Sequence, residues 1–374
     1  MIKKTVNVMM LTATVLLLNG CSNLVDSDEV KTNGDNVQQV ATTYFENSIK
    51  MDSMKHRRSA EVDDYPTCLY ELDIVDEYDN KISFGELSES DKQSLYVFWK
   101  ESEVDVLIEK MNDDPSLVDM LSIENQAFAM TENSAPRSLM QNPEVFFSKY
   151  QKNLQKILLK NDSRSAKGKN TTITADCNVE SSVNKMHQYY KKGRLMVCTD
   201  TTSSSGSSFV GHASIMRSSD WDESWAIDAL GRATVTSYPK DKNAMWPDKT
   251  DGVQYEPIGI WTGNSGGSSR HVTIYDVGHS KWVWNWFKSH YEFKNAPTSA
   301  YNAAADFAIS QIGKKYNWNF MGKDIESSYY CSSLCYKSWR KQSSDYDVSW
   351  GFIASPSDIA TSHNTRAVCS YSNW

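Results

Sequence analysis

Read only as apolar and polar positions, the chain changes period several times. Residues 6–18 are a short apolar run behind a basic start, Met1-Ile2-Lys3-Lys4. The run is too short to span a bilayer comfortably, and residues 1–20 read as an export signal. Residues 21–39 are polar and acidic, as a flexible tether would be. From 40 to 160, apolar positions recur mainly at helical spacing. Residues 88–101 and 104–111 read as helices. Asn142-Pro143-Glu144 opens another, with an Asn cap and Pro in the first turn. Phe146, Tyr150, Leu154, Ile157 and Leu158 then form one apolar face. Residues 72–75 and 82–84, parted by Asp79-Asn80, read as a small hairpin. Residues 161–172 have the Ser, Lys, Gly, Asn and Thr content of a linker.

Beyond residue 173 the pattern becomes strand-like. Apolar runs at 195–198, 210–216, 225–228, 233–238 and 272–277 alternate with helix-like runs at 181–190, 298–312 and 331–341. That order predicts an α+β fold, an antiparallel sheet packed on helices over 173–374, preceded by a mostly helical accessory domain over 40–160. Trp282, Trp284 and Trp286 alternate as on a strand face and read as core, domain interface or a substrate- or membrane-facing platform. A length of 374 residues with 40% hydrophobic content suits two such domains. Charge divides the chain the same way. Residues 22–160 hold 27 acidic and 14 basic side chains, whereas the C-terminal part is slightly positive. That is too weak a basic balance for nucleic acid.

Chemistry concentrates at Tyr330-Cys331-Ser332-Ser333-Leu334-Cys335. Cys331 falls in the first turn of a predicted helix, where unpaired N–H groups and the helix dipole favour an anion. The thiolate is the nucleophilic form of cysteine. It needs a base, and the base needs an orienting group. His212 opens an apolar strand straight after a Ser-rich loop and is a candidate base. Asp228 ends the next strand and is a candidate orienter, able to fix the imidazole tautomer. Each residue alone also fits a structural role: a buried cysteine, a satisfied strand histidine, a turn-capping aspartate.

Taken together, these segments resemble the permuted branch of the NlpC-type, papain-like cysteine peptidases, the YiiX/YaeF-like amidases. The resemblance runs from about residue 191 to 368. Gly193-Arg194 stands for the family's Gly-Asp strand opening, with Arg for Asp. Gly211-His212-Ala213-Ser214-Ile215 matches its histidine strand, and Ile227-Asp228-Ala229 its Ile-Glu-Ala, with Asp for Glu. Gly313-Lys314-Lys315-Tyr316-Asn317 is similar to Gly-Lys-Pro-Tyr-Asp, and Tyr330-Cys331-Ser332-Ser333-Leu334 to Tyr-Cys-Ser-Glu-Leu, with Ser for Glu. Residues 353–359 resemble its closing segment. The resemblance implies a circularly permuted papain-like domain with Cys331 as nucleophile, His212 as base, Asp228 as orienter and Tyr316 as a substrate contact. It implies no cofactor. The expected substrate is an amide in a cell-wall peptide, another peptide or an N-acyl lipid. The departures at Arg194, Asp228 and Ser333 fit a second expectation, an inactive papain-like module that binds envelope ligands.

Leu18-Asn19-Gly20-Cys21 resembles the bacterial lipobox. It implies lipidation of Cys21, a cell-envelope location and membrane attachment through an acyl anchor. Ser22, rather than Asp, favours the outer membrane where there are two. Of the seven cysteines, Cys177 and Cys198 form a plausible disulfide pair. Gly263-Asn264-Ser265-Gly266-Gly267 looks like a serine-protease nucleophile loop, but His212, Asp228 and Ser265 lie too close in sequence for a double barrel. Cys331 and Cys335 sit one helical turn apart, yet no second ligand pair accompanies them, so the spacing yields no metal motif.

Overall fold

The computed structural model describes residues 34–56, 65–134, 142–165, 187–199, 211–218, 225–230, 252–257, 271–285, 289–320, 322–349 and 353–372. Residues Gly34–Trp374 form one compact unit. The helical part comprises α1 (Gly34–His56), α2 (Cys68–Glu71), α3 (Glu89–Asp113), α4 (Ser116–Ser134) and α5 (Pro143–Ser165). The two helices expected over 88–101 and 104–111 are one, α3, because Glu101-Ser102-Glu103-Val104 contains no breaker. It starts at Ser88, whose side chain caps Asp91 N–H at 3.2 Å. It stops at Asp114, where the following Pro115 disfavours helical backbone. α5 runs on to Ser165, into the stretch read as linker; the rest of that stretch lies outside the described residues.

The sheet is built on one long strand, β7 (His271–Val283). Its order is β2 (Lys81–Ile82), β1 (Ile74–Val75), β7, β3 (Leu195–Cys198), β4 (His212–Met216), β5 (Trp225–Leu230) and β6 (Gly252–Pro257). β8 (His290–Asn295) and β11 (Thr365–Ser372) also pair with β7. Ladders between C-terminal strands of this sheet are antiparallel, as expected. The 72–84 hairpin does form, but β1 joins β7 in parallel, Ile74 opposite Trp282. Trp282 and Trp284 are buried, in core rather than on a surface platform; Trp286 lies outside the described residues. The strand expected over 233–238 also lies outside them. α6 (Thr298–Ser310), the short pair β9 (Lys315–Tyr316) and β10 (Ser328–Tyr329), α7 (Cys331–Arg340) and α8 (Pro356–Thr361) complete the described α-helices and strands.

The accessory helices share their core with the sheet. One hydrophobic cluster runs from Phe45, Trp99, Leu121 and Phe128 to Ile215, Tyr275 and Leu334. Polar pins reinforce it. Lys110 Nζ donates to Thr365 O at 2.8 Å and Ala360 O at 3.0 Å, and Ser357 Oγ donates to Glu124 at 2.6 Å. Thr273 Oγ1 donates to Asp114 at 2.9 Å. Among the described residues, the helical part and the sheet therefore share one interior. No helix among the described residues is long and apolar enough to cross a membrane.

Candidate functional site

Cys331 is the first residue of α7 and is completely buried. Three contacts fix its approach. β10 pairs with β9, placing Tyr329 opposite Tyr316. The buried Tyr330 hydroxyl donates to Phe320 O and accepts from Ala354 N–H, both at 3.2 Å. Ser332 Oγ donates to Ala354 O at 2.7 Å. Ser333, the family's Glu position, accepts Tyr330 N–H at 2.9 Å and so caps the helix. α7 lies against β4 and β5 through the face carrying Leu334, Cys335, Ser338 and Trp339, with Trp339 Nε1 donating to Gly193 O at 3.1 Å.

His212 opens β4 opposite Cys198 of β3. The preceding Gly211 has φ +80°, and a Cβ there would sit 2.4 Å from Cys198 O. Only glycine brings the chain into β4 this closely. β5 runs antiparallel to β4, Ile227 opposite Ile215, which carries Asp228 to the imidazole. His212 Nε2 donates to Asp228 Oδ2 at 2.6 Å, and both residues are buried, 7% and 0% exposed. The Cys331 thiol is within hydrogen-bonding reach of the same imidazole. With Nε2 committed to Asp228, Nδ1 is the nitrogen left to serve the thiol. Burial disfavours the imidazolium, but the Asp228 carboxylate and the Cys331 sulfur, by charge and hydrogen bond, hold its pKa well above the usual histidine range. Cys331 and Cys335 both carry free thiols. Cys335 lies a turn deeper; burial, then the charges of Cys331 and Asp228, push its pKa well up.

The arrangement supplies a nucleophile, a base and an orienter, with the Cys331 N–H at a helix start where an oxyanion could be received. Tyr316 is buried, its ring edge-on to Trp318 at 4.7 Å in a cluster that continues through Phe320 to Tyr330. Trp318 is 46% exposed, so the cluster leads from the residue before Cys331 to the surface. Arg194, a departure from the family pattern, has a filled structural role. Its Nε and Nη2 each reach Asp276 at 2.9 Å, and Tyr301 donates to the same carboxylate at 2.7 Å. Glu256 of β6 was not picked out from the sequence. It is buried, and its carboxylate lies within 4.8 Å of the ligand atoms of His212 and Asp228. Alternation along 252–257 marks a strand, but nothing local in the sequence places Glu256 beside Asp228. Cys21, Cys177 and Ser265 lie outside the described residues.

The family model for the permuted papain-like amidase enzymes, YaeF/YiiX, C92 family, matches residues 290–358. That span holds β8, α6, β9, β10, α7 and the start of α8; it includes Cys331 and Tyr316 and stops short of His212, Asp228 and the helical part. The match supports an amide-cleaving hydrolase of the cysteine peptidase/amidase type. No curated protein matches the chain.

Proposed function

We propose that this protein is a lipid-anchored cysteine amidase of the cell envelope, with Cys331 as nucleophile, His212 as base and Asp228 as orienter. One observation carries the reading: a free thiol at a helix start shares a buried imidazole with a carboxylate 2.6 Å from its far nitrogen. Nδ1 of His212 takes the thiol proton, and the sulfur attacks the amide carbonyl. The developing oxyanion meets the Cys331 N–H. The imidazolium gives its proton to the leaving amine, and a thioester remains. His212 then draws a proton from water, whose oxygen attacks the thioester, releasing the acid and restoring the thiol. Asp228 holds Nε2–H throughout and offsets the positive charge on the ring.

The substrate is an amide in a cell-wall peptide, another peptide or an N-acyl lipid, with Tyr316 lining its approach. Anchoring is through lipid on Cys21 at the outer membrane where two membranes exist, and residues 40–160 complete the amidase core. The test is incubation with purified sacculi and a panel of lipid amides, comparing wild type with Cys331→Ala by mass spectrometry. Products present only with wild type support the reading. Identical product sets across all substrates favour the second reading, a binding module built on the same fold.

A further inference from the structure

Two serines follow Cys331 at the start of α7, and their hydroxyls are used differently. Ser333 is spent on the cap, accepting Tyr330 N–H at 2.9 Å. Ser332 takes no part in the cap. Its Oγ donates to Ala354 O at 2.7 Å and lies 3.8 Å from Cys331 Sγ, with both residues completely buried. A hydroxyl has one proton and two lone pairs. Beside a thiol, Ser332 can keep its proton on Ala354 O and turn a lone pair to the sulfur, which suits an S–H. Once His212 has taken the thiol proton, the same arrangement is repulsive, because a lone pair then faces a charged sulfur. An O–H turned to that sulfur would instead make a charge-assisted hydrogen bond, strengthened by the buried setting.

We propose that Ser332 is a further catalytic residue whose hydroxyl proton follows the charge on Cys331, resting on Ala354 O beside the thiol and turning to the sulfur when the thiolate forms. The inference rests on the proposed role of Cys331. The turn is a rotation about Cβ–Oγ and breaks no covalent bond, and the charge draws the hydroxyl across the 3.8 Å gap. Ala354 stays in place meanwhile, because its N–H donates to the Tyr330 hydroxyl at 3.2 Å. When the sulfur attacks a carbonyl carbon, its charge passes to the carbonyl oxygen, and the Ser332 proton returns to Ala354 O. The titratable groups around this site are His212 on β4, Asp228 on β5, Glu256 on β6, Asp358 on α8, and Tyr330 and Cys335 on either side of Cys331. Burial keeps Tyr330 and Cys335 protonated, and Ser332→Ala removes none of these groups.

The experiment measures iodoacetamide labelling of Cys331 in the full chain at mildly acidic and at alkaline pH. Ser332 favours the thiolate, so its loss should tell at acidic pH. It should not slow labelling at alkaline pH, where the thiol ionises unaided and a less stabilised thiolate is the better nucleophile. Ser332→Ala is therefore expected to lower the acidic-to-alkaline rate ratio at least about threefold, part of what a full charge-assisted bond supplies. Ser332→Thr, which keeps the hydroxyl, is expected to restore the ratio. Ser338 is the control: it is equally buried on α7, but its Oγ donates to Leu334 O at 2.7 Å. Ser338→Ala should lower the melting temperature about as much as Ser332→Ala and leave the ratio unchanged. A wild-type ratio in Ser332→Ala, or slowing by one factor at both pH values, overturns the proposal. So does a lowered ratio that a folded Ser332→Thr fails to restore. Labelling needs no amide, so a Ser332 effect in a chain that cleaves none counts against the proposed function alone. An active amidase with the wild-type ratio in Ser332→Ala counts against Ser332 alone.

Discussion

Among the described residues, two buried histidine–aspartate pairs differ in what remains unspent. His271 Nε2 meets Asp114 at 3.1 Å, both residues 2% exposed. Asp114 also receives Thr273 at 2.9 Å, Ser116 N–H at 3.1 Å and the Ser116 hydroxyl. Ser116 passes the network to Thr199 at 2.6 Å, and Thr273 to Ser370 at 2.9 Å. Burial raises the Asp114 pKa, but His271 and the hydroxyls outweigh it and hold the carboxyl below its usual range. This pair pins the α3–α4 turn to β3, β7 and β11. The His212–Asp228 pair instead faces a thiol and retains a carboxylate oxygen, Asp228 Oδ1, with no hydrogen-bond partner among the described residues. Both pairs are similarly buried and similarly close. What separates a pin from a candidate site is the coordination left over for something else.

The largest effect should come from removing what the pin holds on to. A chain starting at residue 173 lacks the helices that share the sheet's core, and it is expected to show no cooperative melt; a sharp transition would restore the separate-domain view. Next, Cys331→Ala and His212→Ala should each lower amide turnover at least about 10³-fold, within the range for a lost nucleophile or general base. His271→Ala, in contrast, should lower stability by about 3–5 kcal/mol in urea melts, as for one partner removed from a buried pair, while Cys331 labelling changes little. Asp228→Asn should cost turnover less than His212→Ala, about 10–100-fold, because the base remains but its tautomer is less well fixed.

The smallest effect concerns Glu124, which burial pushes up to about 8 from 4.5. Above pH 4.5 the unfolded chain releases a proton that the native chain keeps, so stability falls as pH rises through this window and levels off near 8. Glu124→Gln should flatten that fall by a few degrees in melting temperature between pH 5 and 8.

How much of this was legible in the sequence depends on the range of each interaction. The helix at Cys331, the strand at His212 and the start of α5 are written in local spacing and caps. β1, β8 and β11 were harder. Their partners all lie on β7, and β1 reaches it from about 200 residues away. Composition read the helical part as a separate acidic domain, since 27 acidic side chains look like a solvated surface. Yet Glu103, Glu124 and Asp114 are buried, and Glu124 and Asp114 bind hydroxyls of the sheet half. Glu256 was invisible for a similar reason. A lone Glu on a short strand says nothing until β5 and β6 bring it beside Asp228.

The most direct test is the rate at which iodoacetamide labels Cys331 at mildly acidic pH, followed by mass spectrometry of its peptide. The shared buried imidazole predicts labelling in the native wild type that is at least tenfold faster than in His212→Ala and unchanged in His271→Asn. Equal rates in wild type and His212→Ala would mean that the imidazole beside Cys331 does not activate it, and would contradict the proposed pair.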